Sequence, residues 1–291
     1  MTAVPMDFSK MHGAGNDFVM VDARRESSED WSRLAVDVCD RHFGIGADGL
    51  ILIDGDNDRG LEMKMYNPDG SIGEMCGNGI RCFARFLHER GEIGEEKTDV
   101  LTGAGPRWIR VAEAEPDRYR VTVGMGVPEF DPALIPIDMQ GDRIVNRALS
   151  VDGAELSITA LSMGNPHAVA FVEDVNAFDL ENIGPKVENH PVFPQRVNFE
   201  ICQVIGPQNL RMRVWERGAG ITLACGSGAS ATAAAAVVTG RAEPGAIELQ
   251  VDGGALELEW RGEGSEVIMT GPAERVFEGQ LHATSIYQVV S

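Results

Sequence analysis

The chain is short of positive charge and of paired cysteines, and it lacks any long apolar run. Lys and Arg number 25 against 45 Asp and Glu, a formal net charge of −20 over 291 residues. So acidic a surface repels phosphate backbones and excludes nucleic acid as a partner. No stretch approaches the roughly 18 apolar residues of a membrane span, which excludes a membrane role. The first ten residues also lack a basic segment followed by an apolar core, so the expected location is cytoplasmic. The five cysteines, Cys39, Cys76, Cys82, Cys202 and Cys225, are odd in number and irregularly spaced, with no C-x-x-C pair. That spacing excludes a disulfide framework, a zinc ribbon and a thioredoxin-type site, and leaves free thiols.

What is present centres on Met75-Cys76-Gly77-Asn78-Gly79, followed by a run from Ile80 to Arg90 that contains neither Gly nor Pro and stops at Gly91. The pattern predicts a helix with a cysteine at its mouth and a C′ glycine at its end. Unpaired N–H groups at such a mouth stabilise a thiolate and bind carboxylates. A second stretch, Ala224-Cys225-Gly226-Ser227-Gly228, opens the alanine-rich run Ala229 to Thr239 and ends at Gly240. This run carries no charge, so it should be enclosed on all sides.

Elsewhere the chain reads as many short strands. Asp30 to His42 looks helical, and Leu50 to Ile53, Glu62 to Tyr66, Arg107 to Val111, Arg118 to Val123, Val197 to Val204 and Leu210 to Trp215 look extended. The string Gly44-Ile45-Gly46-Ala47-Asp48-Gly49 matches G-x-G-x-x-G, but a helix precedes it and a strand follows, the reverse of a dinucleotide site. The stretch from Pro128 to Pro136 reads as a linker, and no element is assigned from Asp174 to Gln195.

One constant offset of 149 residues relates the two halves. It carries Asn16 to Asn165, Tyr66 to Trp215, Cys76 to Cys225, Gly77 to Gly226, Gly79 to Gly228, Gly91 to Gly240 and Gly105 to Gly254. The chain is therefore read as a duplication of class α+β, each half a curved sheet or barrel wrapped around one central helix. Under the same offset His167 falls opposite Phe18, Glu216 opposite Asn67, Arg217 opposite Pro68 and Asn198 opposite Gly49. Function should concentrate where the repeat is broken.

His12-Gly13-Ala14-Gly15-Asn16-Asp17-Phe18, Asn67-Pro68-Asp69-Gly70-Ser71, Met75 to Cys82, Met163-Gly164-Asn165-Pro166-His167, Arg196-Val197-Asn198-Phe199, Trp215 to Gly220 and Ala224 to Gly228 follow one another in order. Together they resemble the diaminopimelate epimerase family, over nearly the whole chain. The resemblance implies two pseudo-symmetric domains with a cleft between them, here 1–130 and 137–278, with a last strand at about 279–291 returning to the first. It also implies conversion of LL-diaminopimelate to the meso form on the route to lysine and peptidoglycan, with no pyridoxal phosphate and no metal, by a homodimer. On the matching positions it makes Cys76 and Cys225 the acid and base, with His167 partnering Cys76 and Glu216 partnering Cys225. Substrate binding falls to Asn16, Asn67, Gly77, Asn78, Asn165, Asn198, Glu216, Arg217, Gly226 and Ser227.

The chemistry agrees with that assignment. Inverting an α-carbon without an electron sink needs one group to take the proton from one face and another to deliver a proton to the other. Two thiols at helix N-termini can do so, with first-turn amides stabilising the developing charge. Cys39, Cys82 and Cys202 are expected to be core residues. Proline racemases and hydroxyproline epimerases, the related alternative, usually carry His where Asn78 stands and Pro-Cys-Gly-Thr-Gly at the second motif, and this chain has neither. A non-catalytic amino-acid binder or thiol sensor on the same duplicated fold would be favoured by loss of either thiol, and both are present. One departure from the family is Gly49, where well-known members carry glutamine; water or Asp48 could supply the missing polar contact.

Overall fold

The structure is a computed structural model that describes residues 5–28, 30–56, 60–73, 75–115 and 118–282. Its contacts divide the chain into two compact units, Met1–Val123 with Pro272–Ser291, and Gly124–Gly271. In the first unit β1 (Met6–Gly13) and β2 (Asn16–Asp22) form a hairpin. Its two-residue turn, Ala14-Gly15, has positive φ at both positions, as a type I′ turn requires. Next come α1 (Trp31–Cys39), capped by the Asp30 carboxylate, and then β3 (Gly49–Asp56), parallel to β2. β4 (Gly60–Tyr66) and β5 (Ile72–Gly73) lead to α2 (Gly77–Glu89). β6 (Thr98–Thr102), β7 (Gly105–Glu115) and β8 (Arg118–Gly126) complete the run.

β2 and β3 are apolar almost without alternation because helices cover both of their faces, the usual state of a parallel pair. Val19, Val21, Leu50 and Leu52 share a core with Leu34, Ala35 and Val38 of α1. Phe18 and Ile51 point the other way, against Gly79 of α2. The G-x-G-x-x-G string lies between α1 and β3, so the order of elements is the one that rules out a dinucleotide turn.

The second unit repeats this order: β9 (Arg147–Val151), β10 (Ala154–Ser162), β11 (Pro166–Phe171), α3 (Leu180–Glu188), β12 (Asn198–Gly206), β13 (Asn209–Glu216), β14 (Gly220–Thr222), α4 (Gly226–Val238), β15 (Gly245–Val251), β16 (Gly254–Trp260) and β17 (Val267–Pro272). Displacing α1 and α2 by 149 positions lands on both ends of α3 and α4. Strand register repeats as well. Phe18 pairs with Gly49 as His167 pairs with Asn198, Leu50 with Tyr66 as Phe199 with Trp215, and Leu61 with Val100 as Leu210 with Leu249. β18 (Glu274–Leu281) then returns to the first unit and pairs antiparallel with β1, as β9 pairs with β10. The return strand therefore starts before the expected 279, and 283–291 lie outside the described residues.

The central helices are enclosed as the missing charge on α4 requires. Residues Gly228 to Ala236 of α4 are all buried, against β10 to β13, β15 and β16. Both helices end alike. Gly91 and Gly240 have φ of 70° and 71°. The following amides, of Glu92 and Arg241, reach back to Leu87 and Ala236, which makes both ends Schellman caps.

Two segments differ from expectation. The stretch read as a linker belongs to the second unit and is anchored there: Phe130 and Ile135 are buried, and Glu129 bridges to Ser162. The stretch given no element contains α3, whose Gly184 and Pro185 hide it in the sequence. Gly184 is there for contact, since a Cβ would come within 2.7 Å of the Trp215 ring. Gly184→Ala is expected to cost about 1–3 kcal/mol through overpacking. At roughly 2–4 °C per kcal/mol for a chain of this size or a little smaller, thermal unfolding should show it, and an unchanged Tm would contradict the tight contact.

Candidate active site

Cys76 and Cys225 are the N-caps of α2 and α4. Their backbones are extended, with φ −126° and ψ 117° at Cys76 and φ −121° and ψ 113° at Cys225. Each Sγ accepts from the amide three residues on, Gly79 or Gly228, at 3.4 Å. Helix geometry gives the first-turn amides of Gly77, Asn78, Gly226 and Ser227 no carbonyl four residues back within the helix, so these N–H groups face the same end as the thiols.

In the first unit, the tight hairpin turn delivers Asn16 to Cys76. The thiol donates to Asn16 Oδ1 at 3.5 Å, and Asn78 Nδ2 donates to the same oxygen at 3.2 Å. Asn78 is itself held by the fully buried Arg81, whose Nη2 donates to Asn78 Oδ1 at 2.9 Å and whose Nη1 donates to the Gly77 carbonyl at 2.9 Å. Burial lowers the Arg81 guanidinium pKa to about 10. Asn16 Nδ2 donates to Asp48 Oδ2 at 2.7 Å, and Asp48 is paired in turn with Arg41. Asp48 thus reaches the site that Gly49 leaves without a side chain. A Cβ on Gly49 would lie 3.0 Å from the Tyr66 carbonyl. Asn67 is bonded through Nδ2 to Ser71 Oγ at 2.9 Å.

In the second unit Cys225 is buried and its Sγ lies 3.5 Å from Ser227 Oγ. Asn165 Nδ2 donates to that hydroxyl at 3.5 Å, and Asn165 Oδ1 sits 2.9 Å from His167 Nε2. The other ring nitrogen of His167 meets Glu200 Oε1 at 2.7 Å, with both side chains fully buried. Asn198 orients the loop that follows β13: its Oδ1 accepts from the Arg217 amide at 3.0 Å, while its Nδ2 donates to the Pro166 carbonyl at 2.9 Å. The Arg217 guanidinium donates to the Gln195 carbonyl at 3.1 Å. The Thr222 hydroxyl donates to the Glu216 carboxylate.

The electrostatics of the second unit favour protonated forms. Burial pushes the Cys225 thiol well above its ordinary range, and the nearby Glu216 and Glu200 carboxylates add to the effect. Burial also raises the Glu216 carboxyl, opposed by hydrogen bonds from Thr222 and Cys225. A thiol next to a carboxyl, both tuned upward, suits a group that must hold a proton and then release it. The remaining cysteines behave as core residues. Burial raises the Cys82 and Cys39 thiols to about 12, and Cys202 higher still.

Sequence reading missed Glu200 and Arg81. Glu200 had a detectable signal, because the offset sets it opposite Ile51, an apolar residue replaced by a charge inside a buried strand.

Among the described residues no helix is long and apolar enough to cross a membrane. The Diaminopimelate epimerase family model matches residues 8–130 and 159–276. A diaminopimelate epimerase of Synechococcus elongatus is 48% identical over 283 residues, covering 95% of this chain and 98% of the relative. One from Acetivibrio thermocellus is 45% identical over 276 residues, again covering 95% and 98%. Among solved structures, a hydroxyproline epimerase from Agrobacterium vitis superposes with a TM-score of 0.72 at 16% identity, covering 97% of this chain and 94% of its own. A Bacillus anthracis protein of the PhzF family gives 0.66 at 16%, covering 96% and 99%. At that identity the structures speak for the fold alone, a sheet-dominated α+β fold common to these epimerase-like proteins. Nearly full-length identity close to one half, joined to a matched pair of cysteine-capped helices, gives the conclusion that the chain belongs to the diaminopimelate epimerase family.

Proposed function

We propose that the protein converts LL-diaminopimelate to meso-diaminopimelate on the route to lysine and peptidoglycan, with Cys76 and Cys225 as the proton-transferring pair. The observation that carries this reading is the matched capping of α2 and α4 by the two thiols. One thiolate removes the α-proton while the other thiol delivers one to the opposite face, and the roles exchange in the reverse direction. The first-turn amides of Gly77, Asn78, Gly226 and Ser227 hold the α-carboxylate and the charge that develops on it.

Asn16, Asn67, Asn165, Asn198 and Glu216 take the substrate's amino and carboxylate groups, and Arg217 pairs bidentately with a carboxylate. His167 and Glu216 tune the thiols. The two units are the halves of a duplicated enzyme, working as a cytoplasmic homodimer without pyridoxal phosphate or metal, the form that the family likeness implies.

The direct test is incubation of the reduced protein with LL-diaminopimelate in D₂O without added cofactor, followed by NMR of the α-proton and by separation of the isomers. Exchange accompanied by meso product is expected. Protein that yields neither would sink the reading.

A further inference from the structure

Glu200 has no part in the scheme above, yet it is a carboxylate set in the interior of the second unit. It is completely buried in β12, and its Oε2 has no hydrogen-bond partner among the described residues. A buried carboxylate with an unmatched oxygen is retained only against a considerable desolvation penalty. The duplication supplies a control for what such a residue is doing. In the first unit the equivalent pair is Phe18 and Ile51, and a Cβ on Gly79 would lie 2.5 Å from Ile51 Cδ1 and 3.6 Å from Phe18 Cζ. In the second unit the pair is His167 and Glu200, and a Cβ on Gly228 would lie 2.5 Å from Glu200 Oε1. The same backbone, strand register and glycine contact therefore pack an apolar pair in one unit and an ionisable pair in the other. Folding is satisfied by the apolar version, so the polar one points to chemistry.

The hydrogen bonds say which chemistry. Glu200 Oε1 meets His167 Nδ1, His167 Nε2 meets Asn165 Oδ1, Asn165 Nδ2 donates to Ser227 Oγ, and that hydroxyl lies beside Cys225 Sγ. Resting on the epimerase reading above, we infer that Glu200 is a positioning residue for the reaction. It fixes the His167 ring by its Nδ1 edge and so sets Asn165 and Ser227 against the reacting thiol. Glu200 touches neither Cys225 by hydrogen bond nor, in this assignment, the substrate. It acts through the imidazole, and a ring left free to turn would misplace the polar groups that follow it, an error that can cost on the order of 100-fold in rate.

Four variants of the full chain test this, Glu200→Gln, Glu200→Met, His167→Phe and H167F/E200I, each checked for folding by circular dichroism and Tm. Glu200→Gln keeps an acceptor for Nδ1–H and is expected to stay within about fivefold of the wild-type kcat, the loss of charge being secondary to the loss of the hydrogen bond. Glu200→Met fills the volume without an acceptor and is expected to lose about 100-fold in kcat with KM much less affected. The double variant H167F/E200I installs the pair that the first unit already packs. It should fold at least as well as the wild type, since an apolar pair often replaces a buried ionic one without loss.

Because Glu200 works through His167, the double variant should lose no more than a few-fold beyond His167→Phe alone, a non-additivity that a purely structural role would not produce. Where Glu200→Met does not fold, the comparison of the double variant with His167→Phe decides. A folded double variant, or a folded Glu200→Met, that keeps more than a tenth of the wild-type kcat overturns the assignment, as does a loss that merely follows Tm. Wild-type protein with no α-proton exchange would instead remove the epimerase reading, so the two failures are distinguishable.

Discussion

Cys225→Ser is expected to lower the epimerisation rate by at least about a thousandfold while leaving the fold intact, and Cys76→Ser should do the same. Both halves of the expectation come from the capping geometry. Serine is among the best N-cap residues, so its hydroxyl can accept from Gly228, or from Gly79, as the sulfur does now, and helix stability is kept or slightly improved. The hydroxyl cannot do the chemistry, because its proton is held far more tightly than that of a thiol, and in the second unit the His167 ring nitrogens are engaged by Glu200 and Asn165. On the proposed mechanism each thiol is needed in every turnover, one to take a proton and one to give it, so neither loss can be covered by its partner. The measurement is the initial rate of meso product from LL-diaminopimelate, set beside circular dichroism and Tm. A folded serine variant within tenfold of the wild type would show that its cysteine is a cap and nothing more.

Burial pushes the Cys225 thiol upward, and the nearby Glu216 and Glu200 carboxylates add to the shift, a direction that fits the proposed proton donor. Cys76, in its own unit, caps a helix N-terminus, with Asn16 and the Asn78 side chain tied together beside the sulfur. Two capped helices of one design thus stand over different packing. Phe18 and Ile51 lie under the first, and His167 and Glu200 under the second.

What the sequence made legible follows from what the duplication repeats. Helix mouths, C′ glycines and strand order are fixed by local chemistry that recurs at the 149-residue offset, so α2, α4 and the strands around them could be read directly. α3 could not be read locally, because Gly184 and Pro185 break the helical pattern for reasons that lie outside the segment: the glycine makes room for Trp215 on β13. Carrying α1 across by the offset would have located it. Glu200 was hidden for the opposite reason. It lies in Asn198-Phe199-Glu200-Ile201-Cys202, where alternation makes a charged residue look like the solvent face of a strand, yet α4 covers that face. Only comparison with Ile51 reveals that a core position has become polar. The segment 128–136 misled because proline suggests an exposed linker, whereas Phe130 and Ile135 pin it to the second unit.

Gly228→Ala should be the most damaging of the small substitutions, and comparison with Gly79→Ala shows why. Helix propensity alone would favour alanine at either position by up to about 1 kcal/mol. Space decides otherwise. At Gly79 the new methyl would come within 2.5 Å of Ile51 Cδ1, the end of an apolar side chain that can change rotamer. At Gly228 it would meet Glu200 Oε1 at the same distance, with Cys225 Sγ at 3.3 Å. That carboxylate is fully buried and tied to His167 at 2.7 Å, so it can retreat only by breaking its one hydrogen bond. The cost is the 1–3 kcal/mol or so of overpacking together with about 1–3 kcal/mol for a buried partner left unpaired. Gly79→Ala should therefore lower Tm by no more than a few degrees, whereas Gly228→Ala should lower it by roughly 4–24 °C at about 2–4 °C per kcal/mol. Activity should fall further than the folded fraction explains, because the methyl pushes on both the thiol and the carboxylate that orders His167. Thermal unfolding and kcat of the two alanine variants, measured side by side, check the argument. Equal effects at the two glycines would mean that Glu200 is not held where its hydrogen bond puts it.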